Sequence, residues 1–228
     1  MTLKTHLTSR WKHWLVAGVV AVAVAGVGGP FLYIQFNESG TPAPFSLSTP
    51  ESAPTAALDG TWTVASGSQA GYRVGEVVGG QRTTAVGRTG EVSGSATISG
   101  TQVAAGTVSV NLAAVESNES ARDDHVRSLI LHTDQFPAAV FTLTAPVELG
   151  TIPAGQLAHV PATGELTLHG VTKPATVNLD VSQSGDTLNV RGTTDVTFAD
   201  YGIQRPTGGL AKIDPASQIE FLLQLSQA

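Results

Sequence analysis

The stretch Gly164-Glu165-Leu166-Thr167-Leu168-His169-Gly170-Val171-Thr172-Lys173-Pro174 (GELTLHGVTKP, residues 164–174) is where the fold can be read first. Two glycines flank a run in which Leu166 and Leu168 alternate with Glu165 and Thr167, the period-two signature of a strand with one buried face. Val171 to Pro174 is expected to turn tightly into a second strand, at whose start proline is tolerated because it fixes φ and needs no N–H partner. The segment therefore predicts a β-hairpin.

The same period extends in both directions. Val177, Leu179 and Val181 alternate with polar residues in 176–181, Val108, Val110 and Leu112 do so in 107–112, and Ile219, Phe221, Leu223 and Leu225 share one face of 218–225. Further runs near 61–65, 70–78, 90–98, 139–148, 159–169 and 187–198 bring the count to eight or nine strands, and Ser184-Gly185-Asp186 marks a hairpin turn. Strands at this spacing favour an antiparallel barrel or sandwich. One stretch differs. Asn118–Gln135 (NESARDDHVRSLILHTDQ) has Val126, Leu129 and Ile130 at helical spacing, and Ser120 with Asp123 reads as a capping box, so a short helix is expected to cross outside the strands or to close one barrel end.

The β pattern occupies 59–228. Ahead of it, Trp14 to Phe36 (WLVAGVVAVAVAGVGGPFLYIQF) carries no charge over 23 residues, a helix of roughly 34 Å and long enough to cross a bilayer. Lys4, Arg10 and Lys12 precede it, so residues 1–13 read as a cytoplasmic basic tail, 14–36 as a single-pass anchor and the remainder as extracytoplasmic. Trp11, Trp14 and Tyr33 stand near its ends, where interfacial aromatics belong. A cleaved signal peptide is the competing reading, and Gly28-Gly29-Pro30 would kink an anchor there; either way the domain is exported. Residues 37–58, rich in Pro, Ser, Thr and Ala, read as a linker lifting the domain from the bilayer.

Composition narrows the function. Cysteine is absent, which excludes disulfides and thiol chemistry. Residues 59–228 hold two lysines and seven arginines against nine aspartates and seven glutamates, a net −7 that argues against nucleic-acid binding. There is no G-x-S-x-G, H-E-x-x-H, P-loop or dinucleotide fingerprint. His125, His132, His159 and His169 form no close metal-ligand pair, so no metal and no catalytic residue is expected, and a lipid hydrolase or isomerase lacks any visible nucleophile–base constellation. Asp123-Asp124 is expected to serve the helix, since adjacent helical carboxylates point in different directions.

Two motifs together carry a family resemblance. Arg122-Asp123-Asp124-His125-Val126-Arg127-Ser128, followed by Phe136-Pro137 and Phe141-Thr142-Leu143, stands upstream of the 164–174 segment. The pair resembles the YceI-like family, the lipocalin-like polyisoprenoid-binding proteins of bacteria, over roughly residues 60–226. Tyr201-Gly202-Ile203 and the closing apolar strand fit as well. Ala70–Val77 departs from the family pattern, lacking the usual histidine, and Thr197–Tyr201 lacks the usual asparagine-arginine.

The resemblance implies an all-β fold, an extended antiparallel lipocalin-like barrel with a short helical excursion around an apolar tunnel. With the anchor read from residues 14–36, it implies a non-enzymatic membrane-held protein that sequesters or carries a long isoprenoid or quinone-like lipid, with no other cofactor. Strand alternation and family position together point Tyr72, Val74, Val77, Phe136, Phe141, Leu143, Leu166, Leu168, Phe198 and Tyr201 inward as ligand contacts. Arg122, His125 and Arg205 are the candidates for contacting a head group. A homodimer is compatible with such a fold. The alternative is a ligand-free envelope interaction module whose barrel interior is filled by side chains.

Overall fold

The computed structural model describes residues 41–48, 53–54, 57–153, 155–205 and 211–228. The expected anchor at 14–36 and basic tail at 1–13 lie outside these residues; no described helix is long and apolar enough to cross a membrane, which says nothing of spanning strands.

Thirteen strands appear among the described residues: β1 (Gly60–Val64), β2 (Gln69–Val78), β3 (Gln81–Thr89), β4 (Val92–Ser99), β5 (Gln102–Asn111), β6 (Glu116–Ser117), β7 (Ala138–Leu143), β8 (Val147–Glu148), β9 (Ala158–Leu168), β10 (Val171–Ser184), β11 (Thr187–Thr197), β12 (Ala211–Ile213) and β13 (Ala216–Gln227). Eight of them close an antiparallel ring in the order β1-β4-β5-β7-β9-β10-β11-β13, sealed by pairing of β13 with β1. Closure removes the exposed sheet edges that an open sheet would present.

The ring changes character along its length. β13 pairs with β1 through Leu225–Gln227 and with β2 through Gln218–Leu222, so β1 and β2 share one edge of it. The chain bends between them at 65–68, where the Ser68 hydroxyl donates to Ala65 O (2.8 Å) and accepts from Gln224 N (3.0 Å). Beyond the bend β2 pairs with β3 instead of β4, and the barrel flares into a mouth.

At the other end the interior is solid. Trp62, Ile98, Val147, Leu149, Ile152, Val181, Leu188, Leu223 and Leu225 pack together there, Trp62 with no exposed surface and its indole N–H donating to Leu58 O at 2.8 Å. A second cluster, Leu112, Val115, Ala139, Leu166, Leu168, Val196, Tyr201 and Ile203, lies toward the mouth. Cross-strand glycines let aromatic rings lie directly on the backbone. A Cβ on Gly192 would overlap the Phe221 ring opposite it, and one on Gly87 would meet Tyr72.

The hairpin at 164–174 exists with its turn placed earlier than expected. His169 (φ 52°) and Gly170 (φ 74°) form a two-residue connection with both residues left-handed, the type I′ geometry that matches strand twist. Val171–Pro174 is already strand, and Gly164 lies inside β9 opposite Ala175. Pro174 is accommodated because β11 pairs with β10 only from Asn178 onward, leaving that edge without a ladder partner to miss its N–H. Ser184-Gly185-Asp186 turns as expected.

The expected helix is α1 (Ser120–His125), continuing through a π-helical turn at Val126–Ile130. The anticipated Ser120–Asp123 capping box is not formed. Glu119 is the N-cap but its side chain makes no capping bond to the helix, and Asp123, buried, instead accepts from Ser117 N at 2.9 Å. The bond ties the helix start to β6, and Asp124 faces solvent.

Part of the 37–58 stretch lies along the barrel's outer wall. Phe45 is buried, its ring 3.8 Å from the Arg88 guanidinium carbon. Arg73 Nη1 donates to Pro42 O at 2.8 Å, Arg88 to Ala43 O and Arg191 to Phe45 O. Beneath them Glu220, fully buried, accepts from Arg88 (2.7 Å) and from Phe45 N (3.4 Å), and pairs with Arg73 at 3.6 Å. Farther along, Gly185 N donates to Ala53 O at 3.2 Å.

Candidate functional site

The mouth end of the barrel holds a cavity of about 450 Å³ with a predominantly apolar wall. Its origin is visible in the strands around it. On β3, Thr83 and Ala85 line the cavity and Gly87 lies against Tyr72, paired with Glu76, Val74 and Tyr72 of β2, so short side chains stand where a filled barrel would carry large ones. Ala70, Ala139 and Ala211 add more small wall residues, while Leu168, Val196 and Ile219 supply apolar surface from β9, β11 and β13. The helical excursion covers one side of the opening with Val126, Ile130 and Leu131.

The polar groups gather at the mouth. Arg122 of α1 reaches Glu76 (3.5 Å) and Glu119 (3.4 Å), and its Nη1 donates to Asn118 Oδ1 at 3.0 Å. Glu76 is buried and points inward. Tyr72 stands close by. Burial pushes its phenol up to about 12; Arg122 opposes that rise, while Asp123 and Glu76 add to it. The hydroxyl is therefore neutral over the physiological range, able to donate and to accept one hydrogen bond. The Arg122 guanidinium already faces two carboxylates, so its charge is compensated, whereas Arg205, also on the cavity wall, donates to a backbone carbonyl.

Of the residues singled out from sequence, Tyr72, Val74, Leu168 and Phe198 line the cavity, as do Arg122, His125 and Arg205. Phe141, Leu166 and Tyr201 pack in the mouth-end cluster behind the wall, and Leu143 packs against the solid end. Burial raises the Tyr201 pKa, with Asp200 adding to it. Phe136 packs at a tilt of 59° against His169 with ring centroids 4.7 Å apart, and Val77 alternates away from the cavity between Glu76 and Val78. Arg205 is exposed and donates to Ile213 O at 2.8 Å.

Two other wall residues carry little sequence signal. Glu76 is a lone acid in an apolar strand, and only its even spacing from Tyr72 and Val74 marks it as inward. Ala85 is short enough to look like filler. Among the histidines, His169 Nδ1 lies 3.1 Å from Tyr201 O with its Nε2 buried and unpartnered, and His159 bonds Asp180 at 2.6 Å.

Comparison with known proteins agrees with this architecture. The family model for the YceI-like domain matches residues 62–225. A UPF0312 protein of Shewanella denitrificans is 36% identical over 132 residues, covering 54% of this chain and 66% of that one. Protein YceI of Escherichia coli O157:H7 is 38% identical over 80 residues, 35% of this chain and 38% of its own length. The chain thus aligns with between about two thirds and about two fifths of these relatives. Among solved structures, a polyisoprenoid binding domain from Saccharophagus degradans, implicated in plant cell wall breakdown, superposes with a TM-score of 0.60 at 16% identity, covering 73% of this chain and 98% of that one. Burkholderia cenocepacia BcnA gives 0.53 at 19% identity, covering 67% and 95%. At such identities the superpositions speak for the fold.

Proposed function

Because the chain belongs to the YceI-like family, we propose that it is a binding protein whose cavity takes the tail of an isoprenoid or quinone-like lipid, and that residues 14–36 anchor it in the membrane with the barrel on the extracytoplasmic side. The observation that carries the reading is the apolar, unfilled mouth end of a barrel whose other end is packed solid. A volume of about 450 Å³ falls within the roughly 300–1,000 Å³ of small-molecule sites. Each methylene withdrawn from water contributes about 0.8 kcal/mol, so a branched hydrocarbon tail needs few polar contacts to bind.

The mouth chemistry narrows the head group. Arg122 is compensated by Glu76 and Glu119, and Tyr72 is a neutral donor and acceptor. An anionic head group would meet two carboxylates, whereas a hydroxyl or a quinone carbonyl would meet the phenol. Beside Arg122 and Tyr72 the site thus favours a neutral polar end, such as that of a prenyl alcohol or a quinone. Superposition on a polyisoprenoid binding domain supports an isoprenoid tail.

The test is organic extraction of the full chain purified from its native membrane, with mass spectrometry of the extract, followed by melting curves with added geranylgeraniol or a short-chain ubiquinone. A co-purifying prenyl lipid, or a rise in melting temperature that saturates with either probe, is expected. An extract free of prenyl lipid together with unchanged melting curves would overturn the proposal.

A further inference from the structure

The strap formed by Thr41–Ser48 has an end with a defined position. Thr41 lines the cavity, and from there the chain runs away from the mouth along the outer wall, held at Pro42, Ala43 and Phe45 by Arg73, Arg88 and Arg191. The lock is built rather than incidental. Glu220 is fully buried beneath it, and the Phe45 ring is clamped by Arg88. Thr41 follows Phe36, the last residue of the charge-free run, by five residues, which span no more than about 18 Å when fully extended. A second feature stands on the same side. Leu129 is the exposed large hydrophobic side chain among the described residues, at 59%, in the helical turn whose Val126 and Ile130 line the cavity.

We propose that the strap turns the cavity mouth toward the bilayer, so that Leu129 and the rim meet the membrane surface and a lipid tail passes between bilayer and cavity without crossing bulk water. The inference rests on the anchor reading of residues 14–36. A free linker would let the barrel tumble at any orientation above the membrane. The locked strap brings the chain out beside the mouth, and the packed end points away.

The absence of cysteine makes single-cysteine labelling clean. Lys212→Cys places a bimane on the exposed face of β12, between the cavity residues Ala211 and Ile213, and Asp186→Cys places one at the β10–β11 turn of the packed end. Both full-length variants are reconstituted into phosphatidylcholine–phosphatidylglycerol vesicles containing headgroup nitroxide lipid. Quenching several-fold stronger at position 212 than at 186 is expected. A twenty-residue Gly/Ser insertion after Gly40 leaves every described residue intact and lengthens the tether by about 25 Å, so it should collapse that difference. Combined Phe45→Ala and Arg191→Ala should do the same by releasing the strap. Equal quenching at both positions, or a difference that survives the insertion, would overturn the proposal. Failure of the chain to float with vesicles would overturn it together with the anchor, while the lipid content of the purified protein would still judge the binding reading separately.

Discussion

Replacing Glu220 by Gln removes the one negative charge that Arg73 and Arg88 share beneath the strap. The carboxylate is fully buried, with Arg88 at 2.7 Å, Arg73 at 3.6 Å and Phe45 N at 3.4 Å. Removing one partner of a fully buried ion pair costs about 3–5 kcal/mol, because the remaining charge is left uncompensated. Here the arginine side chains keep 15% and 20% of their surface, so water relieves part of that cost. The amide also retains hydrogen-bonding capacity toward Arg88. A loss of about 2–3 kcal/mol is expected. For a domain of this size that corresponds to a melting temperature lower by about 5–10 °C. Urea unfolding of the full chain, followed by circular dichroism at neutral pH, measures it. A double-mutant cycle with Phe45→Ala should show coupling between the two positions, since both act on one contact set. A loss below about 0.5 kcal/mol, the size of an exposed surface pair, would refute the assignment of this cluster as a buried lock.

Other consequences are equally direct. Burial alone would raise the Asp180 pKa, but hydrogen bonds from His159 and Arg191 outweigh it and hold the group below its ordinary 3.8. Its stabilisation is therefore present above about pH 4 and lost as pH falls through the lowered native pKa, so Asp180→Asn should be less stable than native at pH 6, with the gap closing on acidification. Spectrophotometric titration should show one tyrosine ionising near pH 12, and Tyr72→Phe should remove that step. Trp62→Ala empties the packed end of a side chain with no exposed surface and should cost about 3–5 kcal/mol in urea unfolding.

The strands with bulky inward residues were the legible ones, at either end of the barrel. Strands β9, β10 and β13 carry bulky apolar side chains at every second position, and those side chains fill the solid end (Val181, Leu223, Leu225) or form the apolar cluster toward the mouth (Leu166, Leu168, Ile219), which is what a period-two pattern registers. β3 escaped for the converse reason. Its residues Thr83 and Ala85 face the cavity and Gly87 lies against the Tyr72 ring, and a wall that must stay short offers no apolar alternation. The helix was legible from Val126 and Ile130, but its cap was not, since Asp123 reaches Ser117 through the tertiary fold and not through local spacing. Arg122 and His125 reached the mouth as the motif implied, while Glu76 stood out only once its strand was given an inside. The strap was hidden in composition. Proline and serine around Phe45 read as linker, and the residues that hold it, Arg73, Arg88, Arg191 and Glu220, come from four different strands.

A lipid-binding role requires that a lipid tail occupy this cavity. Ala85 is buried in the wall, so Ala85→Trp should fill the void with little disturbance of the ladder around it. The decisive measurement is titration of geranylgeraniol into the native chain and into this variant, with melting curves showing that both are folded. Saturable one-to-one binding by the native chain that disappears in the filled variant is the predicted result. Equal binding by both, or binding by neither, would contradict the account.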